Sequence, residues 1–417
     1  MLKSTSLSLA GSCLFLLGSL AQGADDYLTL SNALHTAIGS HPSVASKKEE
    51  LSAASSGLES AKWNRFPGLS GQTTADQTGG TSSSLRLEQP LWTGGRIHAD
   101  IDANSAKVDG AKAAIDEAGQ SILVRTASAF LETIRLQSRI AAAQENLDEH
   151  QRLLDLITRR NDNQISATSE VTMARARLQQ AKNELLQLKN LAVNAKADLE
   201  QLYGQPIKEL KVPKPLKQNF PNLETVIEAV LAYSPKLRQQ SADMQSADAT
   251  VRSRKASLWP QLSARYEHFW GNGTSSSNNN TTYLALAYQP GNGLSSLSAV
   301  REAESRKNAV LSARENTHRD VIDAVRADWN QMHSAAAEVS ILRELVESSR
   351  NVYESFTRQY STGRKTWIDV LNARREAIQA RNQLADTEWG GVLAGIRISI
   401  ATGTVLEDID ANVTLTP

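Results

Sequence analysis

The chain has 417 residues, in which 45 lysines and arginines balance 45 aspartates and glutamates, and aromatic residues make up only 5%. A balanced charge gives no reason to expect a nucleic acid as a partner. Few aromatic side chains beside abundant alanine, leucine, serine and glutamine favour long coiled helices over one large globular core.

Residues 1–23 have the features of a secretory signal peptide. Lys3 supplies a positive charge, residues 7–20 form an apolar run, and small residues follow it. The run is too short for a membrane span, and no later segment supplies about 20 apolar residues in succession. We therefore predict an exported protein without a transmembrane helix, in which any membrane crossing is made by strands.

The single cysteine, Cys13, lies within the predicted signal peptide. It is a candidate lipoprotein cysteine, although Ala10-Gly11-Ser12 before it matches that motif weakly. After cleavage the chain has no cysteine, which excludes disulfides and thiol chemistry and is typical of a bacterial envelope protein.

The rest of the chain is an internal duplication. Residues 30–70 match residues 223–263 at an offset of 193, which places Pro67 on Pro260, and later residues match at an offset of 199. The change of offset is explained by a longer surface loop in the second half. The predicted organisation is a signal peptide at 1–23, a first repeat at 24–204, a proline-containing linker at 205–221, a second repeat at 222–404 and a C-terminal tail at 405–417.

Each repeat is predicted to contain one long helix, two short helices and two strands. In the first repeat these are a helix over 30–63, strands at 68–78 and 82–91, a long helix from Arg96 to a break at 161–166, and a helix over 169–203. In the second repeat the strands are at 261–270 and 281–290, the long helix begins near Leu294, and the break lies at 361–365. Residues 96–160 would extend roughly 97 Å at about 1.5 Å per residue, about twice the length of either short helix. We expect one long helix beside two short ones stacked end to end.

The last helix of each repeat carries a coiled-coil pattern. From Val171 to Leu202, and again from Val370 to Ala401, core positions recur at alternating spacings of three and four residues. The second series has smaller side chains, so its backbone can approach a neighbour closely. The heptads alone fit an ordinary coiled coil, and it is the strands that indicate a different architecture.

The four strands have the length and alternation of strands in a membrane barrel. Leu85 and Leu87 alternate with Arg86 and Glu88, so that apolar side chains would face lipid and polar ones a lumen. Single-chain barrels begin at eight strands, and an open edge in lipid would leave backbone groups unpaired at several kcal/mol each. Copies of the chain must therefore complete the cylinder. Two copies give eight strands, and three give twelve, which is enough for a channel.

The strands are joined at one end by polar loops near residues 79–83 and 271–280, which suit exposed tips. At the opposite ends stand aromatic residues. They are predicted to form a girdle at the membrane surface, or alternatively to pack at the corners between helices and strands. These residues are Trp63, Phe66, Trp92, Trp259 and Tyr288.

With these features the chain resembles the TolC family of outer-membrane efflux and secretion proteins. The segment Gln89-Pro90-Leu91-Trp92-Thr93-Gly94-Gly95-Arg96 is similar to the first strand-to-helix corner of that family. The segment 360–373 is similar to its second helical hairpin, with a glycine turn before Asp-Val-Leu. The resemblance implies a mainly α protein with a membrane β-barrel part. Three chains would form a 12-strand outer-membrane barrel on a long periplasmic α-barrel, which inward-coiled helices close at its far end.

The same resemblance identifies the breaks at 161–166 and 361–365 as the tips of two hairpins, with Gly363 in the second turn. Asp369 falls at the first aspartate of the family's constriction, where three copies would form a carboxylate ring that narrows the lumen and binds cations. Asn372 replaces the second aspartate. We therefore expect weaker cation block than two aspartates would give.

Polar contacts between the two hairpins are expected to hold the tips closed. Tyr360 and Lys365 on the second hairpin, and Ser169 and Glu170 on the first, match positions that supply such links. Each link at an exposed tip contributes about 0–1 kcal/mol, so several together could still yield to a docking partner. The alternative is that these side chains only solvate the tips.

The sequence contains no phosphate-binding glycine loop, no His-Glu-x-x-His and no Gly-x-Ser-x-Gly, so we predict no enzyme, no cofactor and no metal site. A passive duct depends on an inner-membrane transporter and a periplasmic adaptor. Arg159 and Arg358, at equivalent places in the two repeats, are candidates for adaptor docking.

Three functions remain open. The corner at 89–96 resembles the branch used in type I protein secretion, which pairs such a duct with an ABC transporter. The second function is an exit duct for drug or metal efflux. The third is a soluble periplasmic coiled-coil scaffold, which would fractionate with the soluble periplasm instead of remaining in outer membranes as a homotrimer in contact with lipid.

Overall fold

A computed structural model describes residues 27–75, 80–213, 221–271, 279–289, 291–293 and 295–407. The predicted signal peptide with Cys13, most of the C-terminal tail and parts of the two polar loops lie outside these ranges. Within the described ranges, no helix combines the length and the apolar character that crossing a membrane requires.

The same order of elements occurs twice, which confirms the predicted mainly α fold with four longer strands. The first half contains β1 (Tyr27–Leu28), α1 (Leu30–Ser40), α2 (Pro42–Trp63), β2 (Gly68–Ala75), β3 (Thr81–Trp92), α3 (Arg96–Asp162) and α4 (Thr168–Tyr203). The second half contains β4 (Glu209–Leu210), α5 (Leu223–Tyr233), α6 (Pro235–Ala256), β5 (Gln261–Gly271), β6 (Asn279–Ala287), α7 (Ser295–Ser361) and α8 (Trp367–Thr402).

The first helix of each half is broken, whereas the sequence predicts one continuous helix. The break comes at Pro42 and at Pro235, each the first residue of a new helix. Proline lacks an N–H and disfavours helical geometry in the residue before it. His41 accordingly has ψ 131° and Ser234 has ψ 111°, and both side chains cap the helix that follows.

The helices form a wall. The long helices α3 and α7 have 67 residues each, and α4 and α8 have 36 each. On one side of α3 lie α2 and then α4, on the other lie α6 and then α8, and α7 packs beside α6 and α8. This is the predicted arrangement of one long helix beside two short ones, repeated once.

Burial follows the heptad series in α4 but only in part in α8. Every residue that α4 buries lies on the series that begins at Val171. In α8, buried residues also lie off the series, among them Leu371, Arg374 and Ile396, because this helix is covered by α7 on one side and by α3 on another.

The four longer strands form one antiparallel sheet in the order β2-β3-β5-β6. Its register places Leu87 beside both Leu69 and Tyr266, and Ala264 beside Leu284. Apolar side chains therefore share one face of the sheet, and most of the large ones are exposed: Leu69, Leu85, Leu87, Tyr266, Leu284 and Leu286.

The opposite face of the sheet carries ion pairs that the alternation alone does not predict. Arg86 pairs with Glu267, and Arg265 lies 3.0 Å from the carboxylate of Glu88. Each pair joins directly opposed residues of β3 and β5, and such cross-strand pairs stabilise a sheet. The charges on this face are thereby balanced between its two central strands.

The segment predicted as a plain linker contains a strand. Glu209 and Leu210 form β4, which pairs in parallel with β1. Ile207 and Leu210 pack into the largest apolar cluster, which includes Leu34 and Phe130. Burial of these apolar side chains gives residues 207–210 a fixed position that the proline content of the segment did not suggest.

Gly391 of α8 allows a close approach to α7. A Cβ at Gly391 would lie 2.6 Å from the Cβ of Ala335, whereas one at Gly390 would lie 3.2 Å from the flexible amide of Gln331. We expect Gly391→Ala to lower stability, because overpacking of about 1–3 kcal/mol exceeds a gain in helix propensity of about 1 kcal/mol. The control Gly390→Ala has the same gain without the clash.

The thermal unfolding midpoint of the purified protein, measured by far-ultraviolet circular dichroism, distinguishes the two variants. An equal midpoint for both would show that α7 and α8 do not pack this closely.

Candidate functional site

The two hairpins α3–α4 and α7–α8 end in turns of the same geometry. In the second turn Gly363 has φ 75°, and the N–H of Arg364 donates to the carbonyl of Gln359 at 3.0 Å. In the first turn Gln164 has φ 59°, and the N–H of Ile165 donates to the carbonyl of Arg160 at 2.8 Å. Glycine adopts this left-handed conformation at little cost, and glutamine does not.

Tyr360 connects the tips of the two hairpins. Its side chain is only 6% exposed, and its hydroxyl donates to the carboxylate of Glu170 at 3.3 Å and lies 3.2 Å from the hydroxyl of Ser166. Burial raises the pKa of Tyr360, so the phenol keeps its proton and remains a donor. Two of the four predicted link residues, Tyr360 and Glu170, therefore meet within one chain.

Lys365 and Ser169 do not meet in this arrangement. The ammonium of Lys365 lies 4.1 Å from the ring centre of Phe356, within its own hairpin. Ser169 is exposed on the first turn of α4, and within the described part of the chain it forms no hydrogen bond to the second hairpin. The structure therefore does not bring Lys365 and Ser169 together within the described chain.

Arg160 is a tip residue that the sequence analysis missed. Its guanidinium lies 5.0 Å from the ring centre of Tyr360 and donates to the carbonyl of Ser361 at 3.3 Å. It also donates to Ser166 at 3.3 Å. A basic residue one turn before a break is common at a helix C-terminus, and no sequence signal separates Arg160 from its neighbour Arg159.

Arg159 and Arg358 are both exposed. Their backbone carbonyls belong to the turns: that of Arg159 accepts from the side chain of Asn163 at 2.8 Å, and that of Arg358 accepts from the hydroxyl of Ser361 at 2.6 Å. Their guanidinium groups are thus accessible at equivalent positions near the two tips.

Asp369 lies in the first turn of α8 and forms a capping box with Thr366, the N-cap residue of this helix. Its Oδ2 accepts from the N–H of Thr366 at 2.9 Å and from the Thr366 hydroxyl at 2.8 Å. These hydrogen bonds, that from the backbone first, hold the pKa of Asp369 below its ordinary value. The carboxylate is therefore ionised and fixed in position, while Oδ1 has no hydrogen-bond partner among the residues that the structure describes.

Asn372 is exposed one turn further along α8 and borders a groove of ≈ 250 Å³ between α3, α4 and α8. Arg177, Arg375 and His150 border the same groove. Burial, followed by the charges of Arg374 and Arg177, lowers the pKa of His150 to about 4. The imidazole is therefore neutral at pH 7, and the fixed charges at this groove include two arginines.

A buried polar cluster joins the two hairpins further from the tips. Arg374 of α8 donates through Nε to the side chain of Asn146 on α3 at 3.0 Å. Tyr353 of α7 donates to the carboxylate of Glu149 on α3 at 2.6 Å. The sequence analysis missed all four residues, because each occupies a helical position where a polar residue is usually solvated.

The predicted aromatic girdle lies at the other end of the helices, where they join the sheet. Trp63 ends α2, Trp92 ends β3, and Tyr288 follows β6. The rings of Trp63 and Phe66 contact each other, with centres 5.1 Å apart. All five predicted girdle residues are exposed where the helices meet the sheet.

The described residues include no group of three or more histidine, cysteine, aspartate or glutamate side chains that could hold a metal ion. Hydrogen bonds, ion–aromatic contacts and an apolar cluster that includes Ile157, Tyr360 and Val370 hold the two hairpins together, and Asp369 adds a fixed carboxylate.

Comparison with known proteins gives relatives along most of the chain. The outer membrane protein TolC of Escherichia coli is 22% identical over 351 residues, which is 78% of this chain and 70% of TolC. The alkaline protease secretion protein AprF of Pseudomonas aeruginosa is 24% identical over 351 residues, 79% of this chain and 70% of AprF. The cobalt-zinc-cadmium resistance protein CzcC of Cupriavidus metallidurans is 22% identical over 362 residues, 85% of each chain.

Solved structures share the fold. The outer-membrane channel OprN has a TM-score of 0.78 at 18% identity, covering 91% of this chain and 90% of its own. The outer membrane protein VceC of Vibrio cholerae has a TM-score of 0.76 at 16% identity, covering 90% of this chain and 96% of its own.

The family described as "Outer membrane efflux protein" matches residues 33–205 and 226–401, which are the two repeats without the segment between them. This match confirms both the resemblance drawn from the sequence and the predicted location in the outer membrane. The chain belongs to the outer membrane efflux protein family.

Proposed function

We propose that three copies of this chain form a closed duct through the outer membrane, continued by a helical cylinder in the periplasm. The main support for this proposal is that, among the residues the structure describes, the edge strands β2 and β6 each pair on one side only. Every residue of β2 is exposed, and unpaired backbone groups of an edge strand are ready to pair with another chain. In lipid such an edge is too costly to remain open.

The edges of the sheet and of the helical wall coincide. At one edge lie β6 and α7, and at the other lie β2, α2 and α4. Within the chain α3 buries 24 residues along its length, whereas α7, equally long, buries 8. A neighbour that places β2 beside β6 also places α2 and α4 beside α7, and a head-to-tail contact of this kind closes into a ring.

Three copies suit the duct better than two. Side chains fill the interior of an eight-stranded barrel, whereas twelve strands leave a channel. The apolar face with Leu69, Leu87 and Leu284 would then contact lipid. The face with the pairs Arg86–Glu267 and Arg265–Glu88 would line the lumen with balanced charge.

The tips act as the gate of this duct. The link from Tyr360 to Glu170 and the contacts of Arg160 hold the second hairpin against the first. Each is weak enough to break when a partner docks. Asp369, fixed by Thr366, contributes one carboxylate of a threefold ring, and Asn372 leaves that ring without a second layer of charge.

The duct works with an inner-membrane transporter and a periplasmic adaptor, for which the exposed Arg159 and Arg358 are docking candidates. Type I protein secretion is the favoured cargo route, because the corner at 89–96 resembles that branch and AprF is a secretion protein. Metal or drug efflux is the second candidate, because the match to the metal resistance protein CzcC covers 85% of each chain.

The lipid-facing side of the sheet is tested at Ala264, which lies opposite Leu284 on the apolar face. An arginine there should cost about 2–4 kcal/mol if it faces mid-membrane, so Ala264→Arg is expected to reduce the trimer recovered from outer membranes. Gln72→Arg, on the polar face of β2, is the matched control and should leave recovery unchanged. The reverse pattern would show that the faces are assigned the wrong way round.

The gate role of Asp369 is tested in planar bilayers. Asp369→Asn removes the ring charge, so block of the channel by magnesium ions should weaken. Thr366→Ala is the control, because it breaks the capping box and keeps the carboxylate; its magnesium block should persist. Equal block in the wild type and Asp369→Asn would remove Asp369 from the gate.

The cargo is tested by deletion of the gene. Loss of a protein from the culture supernatant, with that protein retained inside the cells, is expected for type I secretion. Unchanged secretion together with increased sensitivity to metal ions or drugs would favour the second candidate. Recovery of the wild-type protein as a soluble periplasmic monomer would contradict both.

A further inference from the structure

Arg374 is a charged residue buried between three helices. Its side chain is 7% exposed, and its guanidinium lies 5.2 Å from the ring centre of Tyr353. Nε donates to Asn146 at 3.0 Å, but the buried Nη2 has no hydrogen-bond partner among the described residues. A buried cation is unfavourable unless hydrogen bonds and an opposite charge compensate it.

Two carboxylates act on Arg374 from α3, and both are bound elsewhere. The charges of Glu149 and Glu145 favour the protonated guanidinium, yet burial outweighs them and lowers the pKa of Arg374. Glu145 pairs with Arg381. Glu149 accepts from Tyr353 at 2.6 Å and lies 3.3 Å from the exposed Arg152.

Arg374 therefore has no carboxylate hydrogen-bonded to it among the described residues, whereas Tyr353 binds the carboxylate of Glu149. Its hydroxyl binds Glu149, while its ring lies under the Arg374 guanidinium. The phenol and the guanidinium of the second hairpin thus contact each other, and the phenol holds the carboxylate on α3 whose charge favours the protonated guanidinium.

We propose that Glu149 is a two-position switch between the hairpins: bound to Tyr353 it holds the arrangement described here, and bound to Arg374 it stabilises a shifted, open arrangement of the tips. The inference rests on the proposed role of the tips as the gate of the duct. It adds a residue whose unsatisfied charge favours opening, in contrast to the Tyr360–Glu170 link, which only resists it.

The switch requires opposite effects from its two donors. Tyr353→Phe keeps the ring and removes the donor, so the open arrangement should gain about tenfold in population, since a hydrogen bond to a charged group contributes at least that factor. Arg374→Met removes the buried charge and the alternative partner of Glu149, so the open population should fall below that of the wild type. In the double variant, the gain caused by Tyr353→Phe should be lost.

Hydrogen–deuterium exchange of residues 361–374 in the purified full chain measures the opening within each protomer, and single-channel conductance in bilayers measures its effect on the duct. Faster exchange is expected for Tyr353→Phe and slower exchange for Arg374→Met. Arg375→Met, at the adjacent exposed arginine, is the matched control and should match the wild type. If Arg374→Met loses helical signal, Arg374→Gln removes the same charge and retains an amide for Asn146.

Faster exchange in both single variants would overturn the proposal, because a merely structural cluster loosens whichever member is removed. Exchange in opposite directions with unchanged conductance would leave the switch standing and would count against the tips as the gate. Exchange and conductance that change together in opposite directions for the two variants would support both.

Discussion

The structure depends on one constraint: the backbone groups of a four-stranded sheet cannot all be satisfied within one chain. β3 and β5 lie inside the sheet and pair on both sides, whereas β2 and β6 each keep one unpaired edge. In an apolar surrounding this requirement is far stronger than any side-chain contact at the same edge. The long helices continue the same edges, so that a neighbour able to pair with β6 meets α7 as well. In the assembly that we propose, hydrogen bonding at these edges would join the copies, and the helical contacts would fix their direction.

The contacts that hold the helical wall together differ along its length. Near its middle, Leu34, Phe130 and Ile134 are almost fully buried in one apolar cluster with residues from both halves of the chain. Near the tips, Tyr353 and Tyr360 belong to a second apolar cluster with Ile157 and Val370, and their hydroxyls also make polar contacts to the first hairpin. Apolar burial is non-directional and difficult to exchange, whereas hydrogen bonds have alternative partners of similar energy. The tips therefore combine apolar burial with polar contacts that can be exchanged, whereas the cluster near the middle is apolar.

The sequence was sufficient for features that repeat with a regular period. The duplication predicted two long helices, the alternation of Leu85 to Glu88 predicted the faces of the sheet, and the heptad from Val171 identified the residues that α4 buries. The sequence was insufficient for contacts between residues that lie far apart along the chain. Tyr353 and Glu149 are 204 residues apart, and Arg374 and Asn146 are 228 apart, so no local pattern relates them. Proline at positions 42 and 235 is a signal for a helix break, but the apolar period continues on both sides of each proline and favours one continuous helix.

The duplicated halves share one plan for their hairpins and differ at the turn that joins the two helices. α3 is covered by helices on both sides and α4 packs along it, so the first hairpin is anchored in the wall. α7 is covered on one side only, and its hairpin is joined to α3 through α8. Each hairpin has one outer helix, α4 or α7, that is covered on one side. The two hairpins differ at the turn, because the second tip has Gly363 at its left-handed position, where the first has Gln164, and this conformation costs glycine less than glutamine.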